Sequence, residues 1–423
     1  MSAGIEVFAP LATREPGSAR QLDVDPDTWE TAHGIVKAVR QGGEPSLRDH
    51  AERLDQLEVG ASLVWTREDM RKAYESLRSE DRDLLQTTAD RIRGFALAQR
   101  ATLTNLDVAV PGGRAGQRVI PMQAAGCYAP GGRFPLPSSV LMTVIPARAA
   151  GVQTVWVASP NPQAVTAAAA HVAKADGLLA AGGAQAIAAM AYGIGPCPRC
   201  DIVVGPGNRY VTAAKQIVSA SVAIDMLAGP SELVVVADDS AAPEIVAADL
   251  LAQAEHDPDA WPVLITTSPA LVEHVVRELE TQLATLPTAD NARAALKNGG
   301  YVLASGHDEA LALCDELAAE HVELLVREPH LAAERVSRYG GLFVGAGSAE
   351  VFGDYGVGPN HVLPTGGTGR FKGGLSVLDF LSVRTWLSLS EPAAIATGTA
   401  RLARLEGLEA HARSAEARGG ASG

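Results

Sequence analysis

The stretch Ile224–Pro258, IDMLAGPSELVVVADDSAAPEIVAADLLAQAEHDP, decides the fold of this chain. It predicts a Gly-Pro turn at Ala228–Ser231, a buried strand at Glu232–Ala237 and then a helix. Pro243 fits the first turn of that helix, where its missing N–H costs nothing. A strand that leads directly into a helix is the repeating unit of an α/β protein.

Three polar side chains come at the end of this predicted helix. Asp249, Gln253 and His256 are spaced i, i+4 and i+7, so the pattern places them on one helix face. One interpretation is a polar outer face with a capping histidine. The other is a site, because a carboxylate, an amide and an imidazole are N and O donors suited to a metal ion or to proton transfer.

Outward from this stretch, apolar strands alternate with helices, which predicts α/β architecture with parallel sheets. The alternation fits one large sheet or two smaller ones. The predicted strands are Val152–Ser159, Gly177–Ala181, Asp201–Gly205, Glu232–Ala237, Val263–Thr267, Tyr301–Ala304, Val322–Val326 and Leu342–Gly345.

The two ends of the chain have helical periodicity. Near the N-terminus the predicted helices are Trp29–Gln41, Glu44–Leu57 and Glu68–Thr102. Val108–Arg118 reads as a glycine-rich connection before a short strand near residues 119–122, and the tail after Leu381 reads as helix.

Composition narrows the class of protein. The 423 residues are 47% hydrophobic and 20% charged, and the net charge of -14 argues against nucleic acid and anionic membrane surfaces as partners. No apolar run reaches the ~18 residues of a membrane span. Four cysteines suit a reducing cytoplasm. Cys197 and Cys200 form a lone CxxC, which we interpret as two surface thiols.

Three glycine-rich turns follow predicted strands. They are Cys127–Arg133 (CYAPGGR), Gly182–Gln185 (GGAQ) and the VGPGN turn within Asp201–Lys215. Open α/β sheets bind ligands at the carboxyl ends of their strands, and the N–H groups of a following helix favour a diphosphate. Each turn alone is also an ordinary turn, but together they favour a nucleotide-type site.

Acids and imidazoles are concentrated in the second half of the chain. Glu320-His321 lies where a predicted helix gives way to a strand, and this pair could supply two proton-transfer groups or simply cap the helix. Asp354 and His361 stand seven apart in a turn-rich loop. Glu406 and His411 lie in the C-terminal helix, where a lone histidine is usually a surface residue. Such N and O donors suit Zn²⁺, and no HExxH motif indicates a zinc protease.

In this order and spacing, nine motifs resemble the histidinol dehydrogenase family over about Asp25 to His411. They are GCYAPGG, GGAQAI, VGPGN, AGPSE, AQAEHDP, EHVELL, GDYGVGPNHVLPT, GLSVLDF and EGLEAH. The resemblance implies an α/β fold of two incomplete Rossmann-like domains with parallel sheets, a helical N-terminal segment and a helical C-terminal tail that crosses the dimer. The implied division is 1–20 as an N-terminal segment, 21–127 with 231–375 as the first domain, 128–230 as the NAD-binding domain and 376–423 as the dimerisation segment.

The resemblance also implies a reaction, in which L-histidinol is oxidised to L-histidine through a bound aldehyde by two NAD⁺-dependent hydride transfers, with one Zn²⁺ per site of a cytoplasmic homodimer. Glu320 and His321 would be the acid–base pair. The implied zinc ligands are Gln253, His256, Asp354 and His411. The implied substrate pocket adds Ser231, His321, His361 and Glu406, and the implied NAD contacts are Tyr128, Gln185 and Asn208. Glu406 and His411 would complete the site of the other subunit.

Two alternatives stay open. Lys372 and the run around Arg384 depart from the residues usual in the family, which is compatible with a paralogous NAD-dependent dehydrogenase for another amino or sulfonated alcohol. Retention of Glu406 argues for an amine-bearing substrate, because a sulfonate would meet like charge there. The other alternative is a zinc hydrolase or a zinc-binding protein that does not use NAD.

Overall fold

The computed structural model describes residues 8–11, 24–131 and 135–419, which form three sheets surrounded by helices. Within that part of the chain, no helix has the length and apolar character needed to cross a membrane. The helices are α1 Pro26–Leu54, α2 Arg67–Ser76, α3 Ser79–Ala101, α4 Pro137–Ala150, α5 Ala164–Val172, α6 Gly183–Tyr192, α7 Arg209–Val218, α8 Pro243–Ala254, α9 Pro269–Leu283, α10 Ala289–Asn298, α11 His307–Leu317, α12 Pro329–Ala333, α13 Glu350–Asp354, α14 Ala393–Leu405 and α15 Glu409–Gly419.

The first sheet has six strands in the order β1-β6-β5-β4-β7-β8. Its strands are β1 Val64–Trp65, β4 Ala124–Tyr128, β5 Thr154–Ala158, β6 Gly177–Leu179, β7 Ile202–Val204 and β8 Ala223–Ile224. All neighbours run parallel except β1, which pairs antiparallel with β6. Side chains of α2 to α5 cover one face and those of α1, α6 and α7 the other, so the sheet is buried on both sides.

The second sheet has five strands, all parallel, in the order β11-β10-β9-β12-β13. Its strands are β9 Glu232–Ala237, β10 Trp261–Thr266, β11 Gly300–Leu303, β12 His321–Leu325 and β13 Gly341–Val344. The apolar run of β9 is buried at every position, as expected for a central strand with helices on both faces. Two sheets, and not one, therefore account for the alternation in the sequence.

Both parallel sheets are wound in the same way. Leave aside the antiparallel strand β1 and number the parallel strands of each sheet in chain order, starting from β4 and from β9. The spatial order is then 3-2-1-4-5 in both sheets, which is the order of an incomplete Rossmann fold. The α/β fold expected from the sequence is thus confirmed. This order creates a switch point between β4 and β7 in the first sheet and between β9 and β12 in the second.

The first sheet recruits strands from outside residues 128–230. Val64–Trp65 and Ala124–Tyr128 are two of its strands, and α1 to α3 pack on its faces. The resemblance places residues 64–65 and 124–127 in the other domain, whereas here they pair in this sheet. Most of the segment 1–20 lies outside the described residues. The predicted break at residues 42–43 is confirmed, since Gly43 adopts φ 62 within α1.

The third sheet corrects two predictions. The supposed connection Val108–Arg118 is an antiparallel hairpin of β2 Leu106–Val110 and β3 Gly113–Pro121. The tail does not return to helix after Leu381, because β14 Leu381–Leu389 pairs along the whole of β3 before α14 and α15 follow. The mixed polar and apolar residues of β14 did not indicate a strand locally. Its hydrogen-bonding partner β3 lies 260 or more residues earlier in the chain.

Candidate active site

The amino edge of the second sheet holds the predicted acid and imidazole groups. A helix that follows a parallel strand runs back along the sheet, so the end of α8 returns to the edge where β9 begins. This brings Gln253 and His256 beside Ser231 and Glu232. Glu320 and His321 reach the same edge because β12 begins there next to β9.

His321 is held by the backbone of the neighbouring strand. Its Nδ1 lies 3.0 Å from the carbonyl oxygen of Glu232, so Nδ1 carries the proton and donates it to that oxygen. Nε2 is buried and has no hydrogen-bond partner among the described residues. Burial lowers the pKa of His321 to about 4 despite the opposing charge of Asp354. The ring is therefore neutral near pH 7, with a free lone pair on Nε2.

Glu320 lies beside this imidazole, with Oε2 3.7 Å from Nδ1 of His321. Burial raises the pKa of Glu320 well above its ordinary value, and the neighbouring carboxylates of Glu232 and Asp354 raise it further. Hydrogen bonds from the backbone N–H of Glu232, at 3.0 Å, and from Ser231 oppose that shift. The carboxyl group is thus buried, positioned and able to hold a proton near neutral pH.

Three of the four predicted zinc ligands, Gln253, His256 and Asp354, lie together, and Glu350 lies with them. Ligand atoms of His256, Asp354 and Glu350 fall within 4.8 Å of one another, and His256 Nε2 is 3.9 Å from Asp354 Oδ2. Gln253 is fully buried next to them. With its nitrogen towards Glu350, the Gln253 amide donates to both Glu350 oxygens at 3.2 Å, which leaves its own oxygen available to a metal.

The donor set fits a divalent first-row ion. It consists of imidazole, carboxylate and amide atoms with no thiolate. The pKa of Glu350 is well above its ordinary value, first because of burial and then because of repulsion from Asp354, Glu323 and Glu320. Several carboxyl groups are clustered here with little positive charge beside them. A bound cation would offset their mutual repulsion.

Asp249 does not join the ligands. Asp249 interacts with the side chain of Glu323. The Glu323 carboxyl group in turn accepts the N–H of Glu350 at 2.7 Å. Burial, followed by the charge of Asp249, raises the pKa of Glu323 to about 9. The one-face spacing of Asp249, Gln253 and His256 is only partly realised, since α8 ends at Ala254 and His256 lies beyond it.

His361 and Ser231 lie in a cleft with Glu320. His361 Nδ1 contacts the backbone oxygen of Asp354 at 2.9 Å, and burial lowers its pKa. A cavity of about 770 Å³ is lined by Ser231, His256, Glu320 and His361 together with Asn208 of the first sheet. The amino edge of the second sheet therefore opens towards the carboxyl edge of the first.

The predicted NAD contacts also share one cavity. Tyr128, Gln185 and Asn208 line a space of about 590 Å³ at the carboxyl edge of the first sheet. Asn208 lines both cavities. Gly205 lines the larger cavity at φ 116, and a Cβ atom there would stand 2.0 Å from the Tyr128 carbonyl oxygen.

Side chains already occupy two of the helix N-termini expected to bind a diphosphate. Asn208 caps α7 by accepting from the N–H groups of Tyr210 and Val211. At the start of α6, the Gly182 N–H donates to Asp55 and the Gly183 N–H donates to the hydroxyl of Tyr128. The turn at 127–133 leads to α4, which has no side-chain cap, although residues 132–134 lie outside the described part.

Glu406 and His411 lie apart from these groups within the chain. Both are exposed and line a shallow cleft between β14, α14 and α15, which none of Gln253, His256 and Asp354 borders. The structure of one subunit therefore does not bring the fourth predicted ligand to the other three.

The CxxC pair corrects another expectation. Cys197 and Cys200 are buried in the core between α1, α6 and the first sheet, and are not surface thiols. The side-chain hydrogen bond with Cys200, followed by burial, raises the pKa of Cys197, so this thiol lacks both the charge and the access needed for reactivity.

Sequence reasoning missed Glu350, Glu232, Glu323 and Asp55. A signal existed only for Glu350, which stands four residues before Asp354 on one face of α13. The others are single acids within a strand or at a helix end, with no spacing that sets them apart.

Comparison with known proteins agrees with this geometry. The family model described as histidinol dehydrogenase matches residues 18–419. The chain belongs to the histidinol dehydrogenase family. It is therefore classed as an oxidoreductase.

Individual relatives support this family assignment. Histidinol dehydrogenase of Thermus thermophilus is 48% identical over 419 residues, covering 97% of this chain and 100% of the relative. That of Geobacillus kaustophilus is 44% identical, covering 91% and 92%. The crystal structure of histidinol dehydrogenase from Elizabethkingia anophelis superposes with a TM-score of 0.90 at 30% identity, covering 97% of this chain and 96% of that one.

Proposed function

We propose that this member of the histidinol dehydrogenase family oxidises L-histidinol to L-histidine through L-histidinaldehyde, using two NAD⁺ and one Zn²⁺ per site. The observation that carries the proposal is the buried, neutral His321. Its Nε2 has no hydrogen-bond partner among the described residues, and its Nδ1 lies 3.8 Å from Oε1 of Glu350 in the group of candidate metal donors. A general base with no positive charge is what removal of a hydroxyl proton requires.

The proposed zinc ligands are Gln253, His256 and Asp354 of one subunit and the partner's His411. When bound, the ion supplies an anchor for the amine and imidazole of the substrate. Glu350 supports the set, because its carboxylate fixes the Gln253 amide. Ser231, His361 and the partner's Glu406 would form the rest of the substrate pocket, with Glu406 facing the ammonium group.

NAD⁺ is assigned to the cavity of Tyr128, Gln185 and Asn208, where it would supply the hydride acceptor for both oxidations. This assignment is supported by the position of the cavity at the switch point of a Rossmann-like sheet. Burial raises the pKa of Tyr128 to about 12, so this residue remains a neutral phenol.

In the first oxidation, His321 Nε2 takes the hydroxyl proton while the carbon loses its hydride, which gives the aldehyde. The Nδ1–H bond to Glu232 stabilises the imidazolium that forms. In the second, Glu320 takes a proton from water so that the oxygen adds to the aldehyde, and the hydrate then loses its hydride. The raised pKa of Glu320 makes its carboxylate a stronger base than an exposed glutamate.

A homodimer is part of the proposal. Exposed apolar side chains, namely Val383, Leu387, Leu402 and Leu405, are concentrated on β14 and α14, next to Glu406 and His411. A surface of this kind favours a protein interface. The four cysteines are all free, which fits the cytoplasm as the proposed compartment.

The test is to measure NADH formed per L-histidinol consumed, before and after chelation of metal. Two NADH per substrate, lost on chelation and restored by Zn²⁺, is the expected result. Metal-loaded protein that does not turn over L-histidinol would contradict the proposal. In that case, other amino and sulfonated alcohols would be tried as substrates for a paralogous dehydrogenase.

A further inference from the structure

Asp55 is the C-terminal cap residue of α1 and reaches the cavity assigned to NAD from outside the Rossmann-like segment. Its Oδ2 accepts two hydrogen bonds, from the N–H of Gly182 at 2.7 Å and from Nε2 of Gln185 at 2.9 Å. This carboxylate therefore occupies the anion position at the N-terminus of α6 and also fixes the amide of a proposed NAD contact.

The second oxygen of the same group has a different environment. Oδ1 makes no hydrogen bond to the described residues, and it is not sealed in the core, since Asp55 is partly exposed to the cavity. Burial raises the pKa of Asp55, while the bonds from Gly182 and Gln185 oppose that shift. When Asp55 is ionised, Oδ1 can only accept hydrogen bonds, so it favours a ligand group that donates one, such as a hydroxyl.

The side-chain charges that line the cavity also favour a hydroxyl over a phosphate group near Asp55. Among the described residues that line it, Asp55 is the one acidic side chain, and none is lysine, arginine or histidine. Arg209 lines the neighbouring cavity instead and stacks its guanidinium 5.2 Å from the ring centre of Tyr210. A phosphate group placed near Asp55 would therefore meet negative charge with no compensating cation on the described walls.

We propose that Asp55 determines cofactor specificity by accepting from a ribose hydroxyl of NAD⁺ and excluding the 2′-phosphate of NADP⁺. The inference rests on the proposed NAD site. An acidic residue performs this discrimination in Rossmann dinucleotide sites, where it follows the second strand. Here the acid comes from the end of an N-terminal helix that packs on the sheet, so the position could not be found from strand spacing.

The test compares kcat/KM for NAD⁺ and NADP⁺ in the zinc-loaded protein, and in parallel the affinities for ADP-ribose and 2′-phospho-ADP-ribose. Asp55→Asn should shift the preference towards the 2′-phosphorylated compound by about tenfold or more, because a like-charge contact is removed. Asp55→Ser provides a second variant in case the amide disturbs the turn. Glu58→Gln removes an exposed charge three residues away and should leave the ratio unchanged.

The outcomes separate the two proposals. Gln185→Ala should weaken binding of both ADP-ribose compounds. If it weakens neither, the cavity is not the cofactor site and the NAD assignment above fails. Gln185→Ala could weaken both while folded Asp55→Asn and Asp55→Ser keep the wild-type preference for the compound without the 2′-phosphate. The cavity would then remain the proposed cofactor site, and the role proposed for Asp55 would be wrong.

Discussion

Nδ1 of His321 lies 3.0 Å from the carbonyl oxygen of Glu232, the first residue of the neighbouring strand. Because strands β9 and β12 are in parallel register, the backbone of β9 fixes the tautomer of the histidine on β12. The proton stays on Nδ1 and the lone pair stays on Nε2.

Replacing His321 by alanine should lower kcat by about 10²–10⁴-fold, the usual contribution of a general base. Binding of NAD⁺ and zinc content should change little, since His321 is not among the proposed ligands. His330→Ala, an exposed histidine on α12, is the matched control. Steady-state kinetics with metal analysis would check this, and a variant that retains wild-type kcat would remove His321 from the mechanism.

Glu350→Ala should weaken zinc binding by about 10- to 100-fold, because residues that orient metal ligands contribute on that scale. The alanine leaves the Gln253 amide without the carboxylate that fixes it. Zinc content after dialysis against graded chelator measures the effect without reference to activity. Glu334→Ala, at an exposed position, should retain zinc as the wild type does. Equal retention in both variants would show that Glu350 does not support the site.

Glu323→Gln should flatten the dependence of stability on pH in the metal-free protein. The folded pKa of Glu323 is about 9, above its ordinary value of 4.5, so the native state keeps a proton that the unfolded state releases. This contribution to stability is full below the unfolded pKa and is lost as pH rises towards the folded pKa.

Melting temperatures measured at pH 5, 7 and 9 would test this expectation. The wild type should lose more stability across the range than Glu323→Gln, which retains an acceptor for the N–H of Glu350. The exposed Glu334→Gln should behave as the wild type. Parallel curves for wild type and Glu323→Gln would mean that Glu323 is ionised in the folded protein.

Gly205→Ala should raise KM for NAD⁺ and destabilise the fold by about 1–3 kcal/mol or more, from strain at positive φ together with a steric clash. Its Cβ would lie 2.0 Å from the Tyr128 carbonyl oxygen, so the loop that carries Asn208 must move. Gly373→Ala is the control, since nothing lies within 4 Å of a Cβ there. Thermal melts and NAD⁺ titrations compare the two, and similar behaviour would count against the rigid-loop explanation.

Mixing two inactive variants should restore activity if the tail completes the partner's site. A heterodimer of His321→Ala with His411→Ala has one site with both defects and one with neither. Random exchange should therefore recover about a quarter of wild-type activity per subunit, from the symmetry of the dimer. Activity is assayed after unfolding and refolding the mixture, with each variant refolded alone as the control. No recovery in a mixture shown to contain heterodimers would place His411 outside the shared site.

Much of the fold could be predicted locally. The buried strand Glu232–Ala237 occurs with the predicted bounds, because a continuous apolar run ended by a turn and Pro243 leaves few other structures. The two-strand hairpin at 106–121 and the strand Leu381–Leu389 were missed. The strand Leu381–Leu389 is stabilised by pairing with a segment far away in the sequence, which local periodicity does not record. The hairpin pairs neighbouring segments, but its glycines and polar residues are equally typical of a connecting loop.

The features of the candidate site also divide into those that the sequence indicates and those that only the structure identifies. The sequence by itself determined the α/β class, the glycine turns and the acid and imidazole groups, since these depend on residue type and short spacing. Only the tertiary structure decided that the proposed acid–base pair, Glu320 and His321, lies at the amino edge of one sheet, which faces the carboxyl edge of the other. At the carboxyl edge of the second sheet, Asp238 instead accepts bonds from Arg327 and Ser240.

Tertiary structure also decided which acids matter. Asp55 and Glu350 gain their roles from burial and from partners that are distant in sequence, Gln185 and Gln253. A carboxylate acquires a shifted pKa or a fixed partner only when folding removes it from water, and no residue spacing contains that information.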